Sequence, residues 1–416
     1  MGEIYCGKYA YDLNPKIFRY FKTNAKIIAV TATNGKTMTN NAIVHMLKEA
    51  GNIVVSNLEG NNMETGILST LLKKTSLLGH IKADYMVFEV DEGYVPVIFK
   101  DFKLDTLIIS NFFRDQLDRN GEVETLILRI SEFLKTFSGN LVLNSDDPNV
   151  ARLSKSNCNN KNVTYFSVDK YAFASIDMKE AGEGKFCPFC NERLEYEYYQ
   201  YSHIGKFKCS NCGYGTNEVD IKITNTNLAE KTFVYEEITY NMNFNSIYAI
   251  YNFAAVISAS KIYNIPSDIV KKSISTFILN NGRMEELVIK NCKTIINLAK
   301  NPTGVNVSLR LLNEDTDTKE LLFVLNDNIA DGKDVSWIWD INFDNLKDVS
   351  RIITSGTRAL DIAIRIKTAN YPKCNILPFT NLKDAIDELY STQSKKYVIA
   401  NYTALQPTRK IIQSIN

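Results

Sequence analysis

The sequence predicts an α/β protein of two domains, the first built around a phosphate-binding loop and interrupted by a cysteine-rich insert. Three observations carry that prediction. Short apolar, β-rich runs alternate with helix-periodic segments through the first 140 residues, and the alternation restarts after about residue 287. The first of those runs opens into "TATNGKT" (31–37), which ends as a phosphate loop ends. Two CxxC pairs, Cys187/Cys190 and Cys209/Cys212, break the rhythm in between. Short apolar strands separated by helices imply a buried, mostly parallel sheet.

The elements follow in order. "KIIAVTA" (26–32) reads as a strand, and 37–51 as a helix with apolar Ala42, Ile43, Met46, Leu47 and Ala50 on one face and Gly51 at its C-cap. "NIVVS" (52–56), a helix near 64–74, "YMVFEVD" (85–91), "TLIIS" (106–110), a helix near 121–137 and "NLVLN" (140–144) continue the pattern. After the insert, polar β-like sequence runs to about Tyr240, followed by helices over 245–263 and 266–277. "NNGRMEE" (280–286) reads as a hinge, placing the domains at 1–286 and 287–416. The second domain shows strands in "LLFVLN" (321–326), "RIITSG" (351–356) and "KYVIAN" (396–401), with a helix near 358–369.

Composition bounds the function. At roughly 100–200 residues per domain, 416 residues fit two or three domains. Hydrophobic residues make up 45% and charged ones 23%, enough for a sizeable core. The formal net charge is +1, so no global field favours nucleic acid, and none is expected as a partner. No apolar h-region opens the chain, and no apolar run approaches the ~20 residues of a membrane span. A soluble, cytoplasmic protein is the expectation.

The loop has a physical logic. A buried strand enters it and an amphipathic helix leaves it, so the helix N-terminus presents N–H groups and a positive dipole end to a phosphate. Lys36 reaches terminal phosphates and Thr37 ligates Mg²⁺ in such loops. The usual first glycine, five residues before Gly35, is Val30. The competing reading is an ordinary βα turn with an exposed lysine. Glu89, at the end of "YMVFE", offers the hard oxygen that Mg²⁺ prefers, with Asp91 and Glu92 beside it; the competing reading is an acidic strand-end turn.

The insert carries CxxC-x18-CxxC. Each CxxC is a tight knuckle giving two thiolates, so Cys187, Cys190, Cys209 and Cys212 predict one tetrahedral, structural Zn²⁺ in a ribbon over about 185–215, with Gly213 suited to the knuckle turn. A redox dithiol is the lesser reading. The aromatics of "EYEYYQYSHIGKFK" either cover a small β-ribbon or stack on bases, and the first is preferred. His203, outside both knuckles, is expected at the surface.

"TATNGKT" resembles the "TGTNGKT" loop of the Mur ligase family, ATP-dependent amide-forming enzymes of cell-wall synthesis, with Ala32 for the characteristic glycine. "FEVDEG" (88–93) matches the family's Mg²⁺-binding glutamate, and "SNFFRDQLDRNGEVE" (110–124) its "TNxxxDHLDxHG" segment, with Gln116 for the usual histidine. "LNSDDPN" (143–149), the helix "NSIYAIYNFAAVISAS" (245–260), "NGRMEE" (281–286) and "NLAKNPTGVNVSL" (297–309) follow in family order. The resemblance implies a Mur ligase-like phosphate-loop ATPase domain with the zinc ribbon inserted, then a Rossmann-like C-terminal α/β domain. It implies that Thr33, Asn34, Gly35, Lys36, Thr37, Asn252 and Arg283 hold ATP, that Thr37 and Glu89 hold Mg²⁺, and that Lys36, Glu89 and Arg283 serve the chemistry. Lys300 and Arg358 are candidates to assist.

With the phosphate loop reached by residue 35, a uridine-nucleotide-binding domain is not expected before it. With the ribbon, "DGKDVSWIWD" (331–340), "TSGTRALDIA" (354–363) and "NYTALQ" (401–406), this resembles one branch, the MurT-type synthetase subunits of lipid II isoglutaminyl synthase. The resemblance implies ATP-dependent amidation of the D-glutamate α-carboxyl in the lipid II stem peptide through an acyl phosphate, at the inner face of the membrane. Ammonia would come from a GatD-like glutaminase in a heterodimer. None of His45, His80 and His203 pairs convincingly with a cysteine, which agrees with an external ammonia source. Asp334 or Asp340, flanking Trp337 and Trp339, is expected to serve activity or the partner; an ordinary buried strand end is the alternative. The rival functions are a ligase adding an amino acid and a non-catalytic nucleotide- and zinc-binding protein.

Overall fold

A computed structural model describes residues 2–57, 61–114, 123–156, 162–177, 183–279, 282, 284–344, 346–369 and 375–415. Arg283 and Gln116 lie outside the described residues. The chain divides into two compact units, formed mainly by residues 1–278 and 279–416. The expected boundary at 286/287 falls inside a strand, Glu285–Ile289, that pairs along its whole length within the second unit, so the division lies earlier in the chain.

In the first unit the strands are β1 (Lys26–Thr31), β2 (Val54–Ser56), β3 (Tyr85–Glu89), β4 (Thr106–Ile109), β5 (Asn140–Asn144), β6 (Val163–Val168), β7 (Glu195–Tyr201), β8 (Ile204–Lys208), β9 (Ile221–Asn227), β10 (Thr232–Tyr235) and β11 (Ile238–Asn241). One sheet runs β11-β10-β9-β6-β5-β4-β1-β3-β2. Its neighbours from β9 to β2 pair in parallel, while β10 and β11 return antiparallel. Every residue of β4 is buried, as is all of β1 after Lys26, because helices cover both faces. The helix Ile247–Ile262 is buried from Ala249 to Ser260 and so reads apolar all round. β7 and β8 form a separate antiparallel hairpin. The N-terminal helix Gly2–Leu13, which sequence pattern missed, packs along Glu64–Lys74, where Gly7 N–H donates to Ser69 Oγ at 3.0 Å.

The second unit holds β12 (Glu285–Ile289), β13 (Cys292–Leu298), β14 (Lys319–Val324), β15 (Val349–Ser355), β16 (Ile376–Pro378) and β17 (Lys395–Ala400), in the order β12-β13-β17-β14-β15-β16. All pairs are parallel except β12 with β13. Side chains alternate strictly between two apolar clusters: Leu321 and Phe323 enter one with Ile352 and Ile399, while Leu322 and Val324 enter the other with Ile353 and Val398. Both faces are therefore covered, which explains why Leu321–Val324 of β14 reads as an unbroken apolar run.

Candidate functional site

β1 is an interior strand of its sheet, between β3 and β4, and its C-terminal end is where an open α/β sheet binds ligands. The loop after it is clamped from β4. Thr33 N–H donates to Asn111 O (3.1 Å), Asn34 N–H to Asn111 Oδ1 (2.9 Å), and Asn111 Nδ2 back to Asn34 O (2.9 Å). Phe113 N–H donates to Thr33 Oγ1 at 3.0 Å, and Thr33 Oγ1 donates to Glu92 Oε1 at 2.8 Å. Gly35 stands at φ +89, and a Cβ there would lie 2.5 Å from Asn252 Oδ1, so position 35 admits only glycine. The helix Lys36–Glu49 starts here with no side-chain cap, leaving its first N–H groups to an anion.

Lys36 is buried, and its Nζ lies 2.9 Å from Glu92 Oε2. Burial alone would lower the pKa of this ammonium, but Glu92, Asp91 and Glu89 together outweigh it and raise the value. Glu89 closes β3; Asn57 takes its backbone N–H and C=O at 2.9 and 2.8 Å, and Asn62 Nδ2 donates to its Oε1 at 3.1 Å. Its other oxygen, Oε2, is buried with no hydrogen-bond partner, as are Thr37 Oγ1, Thr31 Oγ1 and Ser110 Oγ. Leaving a buried polar atom unmade costs about 1–3 kcal/mol. Orphans gathered on the loop, its helix and the ends of β1, β3 and β4 mark a place arranged for something polar. Hard oxygens from Thr37 and Glu89 fit Mg²⁺. The structure thus brings Thr33, Asn34, Gly35, Lys36, Thr37, Glu89 and Asn252 to one end of one sheet.

Behind the loop sits the "LNSDDPN" turn. Asp147 Oδ2 accepts from Phe112 N–H (3.0 Å), and its Oδ1 caps the short helix Pro148–Ala151 through Asn149 N–H (2.8 Å). Burial first, moderated by hydrogen bonds from Tyr251 (2.7 Å) and Val168 N–H (3.0 Å), pushes the Asp146 carboxyl up to about 7. His203 is fully buried with Nε2 3.4 Å from Asp147 Oδ1, which corrects the expected surface position. The hairpin folds back on this turn, which a polar context in sequence could not reveal.

The four paired cysteines converge, their sulfurs all within 4.8 Å of one another. Cys187 meets Cys212 at 3.5 Å and Cys190 meets Cys209 at 3.4 Å. Each pair is a knuckle closed in the same way, by Asn191 N–H onto Cys187 O (2.9 Å) and Gly213 N–H onto Cys209 O (3.0 Å). Cys187 and Cys209 pack with Ala151, Leu194, Phe207 and Tyr214. Tyr196 stacks on Tyr199 at 4.1 Å, and no aromatic of β7 or β8 is exposed. The hairpin is stitched to the turn beneath: Gly205 N–H donates to Asp146 O (2.9 Å), Asn217 N–H to Ser145 Oγ (2.8 Å) and Tyr214 OH to Pro148 O.

In the second unit, Asp334 is exposed and its Oδ1 accepts from Ser336 N–H at 2.8 Å; that backbone bond, then the Ser336 side chain, lowers its pKa. Asp340 ends a short helical turn, Ser336–Asp340, rather than a strand, and Trp339 is exposed on it while Trp337 packs against the core. Arg358 pairs with Asp327 at 3.0 Å. The loop leading to Asp334 is anchored by buried Asp331, whose Oδ1 accepts from Thr403 N–H at 2.8 Å and whose Oδ2 accepts from Thr403 Oγ1.

Sequence reasoning assigned no role to Asn111 or Asp331 and gave Glu92 none with Lys36. The three carboxylates in "EVDE" were a signal for Glu92; Asn111 falls in the quoted "SNFFRD" segment, but nothing local pairs it with Asn34, 77 residues away.

A phosphate loop on a parallel sheet, with orphaned oxygens for a divalent cation, defines a nucleotide-using enzyme. The Mur ligase middle domain matches residues 30–217, and the MurT ligase C-terminal domain matches residues 298–405. The MurT subunit of lipid II isoglutaminyl synthase (glutamine-hydrolyzing) of Staphylococcus aureus is 31% identical over 96% of this chain and 92% of its own length. The subunit of the same name from Streptococcus pneumoniae is 30% identical over 99% and 93%. A pseudomurein peptide ligase type C from Methanothermus fervidus superposes with a TM-score of 0.73 at 22% identity, over 96% of this chain and 80% of that one, a likeness of fold. The chain belongs to the Mur ligase family of ATP-dependent ligases, in its MurT branch.

Proposed function

We propose that this chain is the synthetase subunit that amidates the α-carboxyl of D-glutamate in the lipid II stem peptide, working at the inner face of the membrane. The observation that carries the reading is similarity to MurT subunits along nearly the whole chain, joined to a loop with its lysine and orphaned oxygens in place. A carboxylate is a poor electrophile. Transfer of the ATP γ-phosphoryl group makes an acyl phosphate, and ammonia then displaces phosphate. Lys36 and the helix N-terminus would balance charge on the transferring group, and Arg283, by resemblance, would add to it. Thr37 and Glu89 would hold Mg²⁺, which supplies further charge neutralisation when bound. The four thiolates would close around a Zn²⁺ with no open position, making the hairpin a zinc ribbon. The second unit is read as the Rossmann-like C-terminal domain. Its Asp334 or Asp340, beside exposed Trp339, would serve activity or the glutaminase partner.

The test is a reaction of the purified chain with Mg-ATP, ammonium chloride and a lipid-linked precursor bearing D-glutamate, following ADP and peptide mass. Acid-to-amide mass loss is the expected result. A product heavier by an amino-acid residue, with amino acids supplied, would move the protein to the amino-acid-adding reaction. Asp334→Ala and Asp340→Ala variants that both keep glutamine-driven turnover and complex formation would remove these residues from the reading.

A further inference from the structure

The turn after the helix Glu64–Lys74 carries two uncovered leucines. Leu77 is 107% exposed and Leu78 79%. The turn is fixed, not loose. Gly79 N–H donates to Ser76 O (2.9 Å), His80 N–H to Ser76 Oγ (3.2 Å) and Ser76 N–H to His80 O (2.9 Å). Lys22 N–H donates to Gly79 O (2.8 Å) and Ile81 N–H to Lys22 O (2.9 Å), and Ile81 is in the core. Gly79, at φ +81, comes so close that a Cβ would lie 2.5 Å from Tyr20 O. Two leucines are thus held out on a braced turn beside exposed Tyr20. On the helix that packs along Glu64–Lys74, Tyr5 and Tyr9 are also exposed.

The two segments that meet at the turn carry only basic charge. Residues 71–82, "LLKKTSLLGHIK", hold Lys73, Lys74 and Lys82 and no acid; residues 19–26, "RYFKTNAK", hold Arg19, Lys22 and Lys26 and no acid. Arg19 and Lys26 have Asp101 and Asp105 near them, while Lys22, Lys74 and Lys82 are exposed. In a chain of net charge +1 this is a local excess. Apolar tips ringed by lysines suit a bilayer with anionic headgroups: the leucines enter the acyl boundary and the ammonium groups stay with the phosphates.

We propose that the Leu77–Leu78 turn, with Lys22, Lys74 and Lys82 around it, docks this protein on an anionic lipid surface. The proposal deepens the reading of a lipid-linked acceptor, yet vesicle binding tests it without turnover. The full chain would be sedimented with vesicles of phosphatidylcholine alone and with about 30% phosphatidylglycerol. Binding should require the anionic lipid and weaken with salt. Leu77→Ser/Leu78→Ser should weaken it roughly tenfold, and Lys74→Glu/Lys82→Glu should also remove its salt dependence. Both pairs are exposed, so thermal melting should stay at the wild-type midpoint. Absence of wild-type binding to anionic vesicles overturns the proposal, as does undiminished binding by the leucine variant. So does a leucine variant that loses co-elution with a glutaminase subunit while still binding vesicles, since that marks a protein interface. Failure to amidate a detergent-dispersed acceptor would instead sink the proposed activity and leave the vesicle result standing.

Discussion

Each unit buries a lysine against a glutamate, and the two pairs are built to opposite ends. In the second unit, Lys396 Nζ donates to Glu320 Oε2 (2.7 Å), Thr392 Oγ1 (2.7 Å) and Ser394 Oγ (3.0 Å), using all three of its donors. Glu320 also accepts from Arg351 Nε (2.8 Å) and Nη2 (3.2 Å) and from Thr392 (2.8 Å). Burial would raise the Glu320 pKa, but Arg351, Lys396 and Thr392 hold it below the usual range. Nothing in that network is left over. In the first unit, Lys36 has Glu92, but Thr37 Oγ1 and Glu89 Oε2 nearby in the chain and at the end of β3 have no partner. The saturated network joins the starts of β14 and β17; the unsaturated one lies at the ends of β1 and β3. A closed set of hydrogen bonds holds strands together, whereas an open set waits for a substrate.

The sharpest way to break this comparison is to remove each lysine. Lys36→Ala should lower ammonia-driven turnover by roughly 10²–10³ in kcat, the cost of losing one charge-stabilising donor. Steady-state kinetics at saturating Mg-ATP reads this; turnover within a factor of two of wild type would mean the loop is not the site. Lys396→Ala should instead cost about 1–3 kcal/mol of stability, because buried Glu320 loses a charged donor and keeps only Arg351 and Thr392. Denaturant unfolding would show that loss while the folded fraction keeps its kcat. A smaller effect concerns Glu89→Gln, which keeps the size but weakens a hard ligand. We expect a raised Mg²⁺ requirement, read as turnover against Mg²⁺ concentration, with an unchanged melting midpoint.

The smallest effect sits at Asp146. Its folded pKa, about 7, lies above the ordinary carboxyl value, so the folded state binds a proton that the unfolded state has released. Between those values the unfolded state holds fewer protons, and stability falls as pH rises, levelling above pH 7. Over pH 5–7 the contribution is about 1–2 kcal/mol. Asp146→Asn should flatten that part of the stability profile; a variant profile parallel to wild type would place the proton elsewhere. Lys36, by contrast, keeps its charge through this window, since its raised value affects stability only in strongly alkaline solution.

The two regions also differ in how far they can be read from sequence. The strand, loop and helix around Lys36 are contiguous, so periodicity and "GKT" locate them, and the two CxxC spacings locate the thiol cluster for the same reason. What closes around them is distant in the chain. Asn111 clamps Asn34, Glu92 meets Lys36 from 56 residues away, and His203 is buried because a hairpin folds onto the "DDP" turn. The Lys396 network was invisible: its members come from 320, 351, 392 and 396, each unremarked where it stands. The helix Gly2–Leu13 was missed because its inner face is made of Gly7, Ala10 and Tyr11, too small and mixed for a clear apolar stripe.

The stitched hairpin has a thermodynamic corollary. Tyr214 and Gly205 fasten the cysteine knuckles to the 146–148 turn, Asp147 fastens that turn to Phe112, and Phe113 holds Thr33 of the phosphate loop. If nucleotide tightens the loop through this chain of bonds, reciprocity requires that a Zn²⁺ held by the four thiols, as proposed above, bind more tightly in its presence, by the same factor. A chelator competition with and without Mg-ATP would measure that factor directly. Equal zinc release in both would show the hairpin to be a passive brace, and slower release with nucleotide would make metal retention a gauge of loop occupancy.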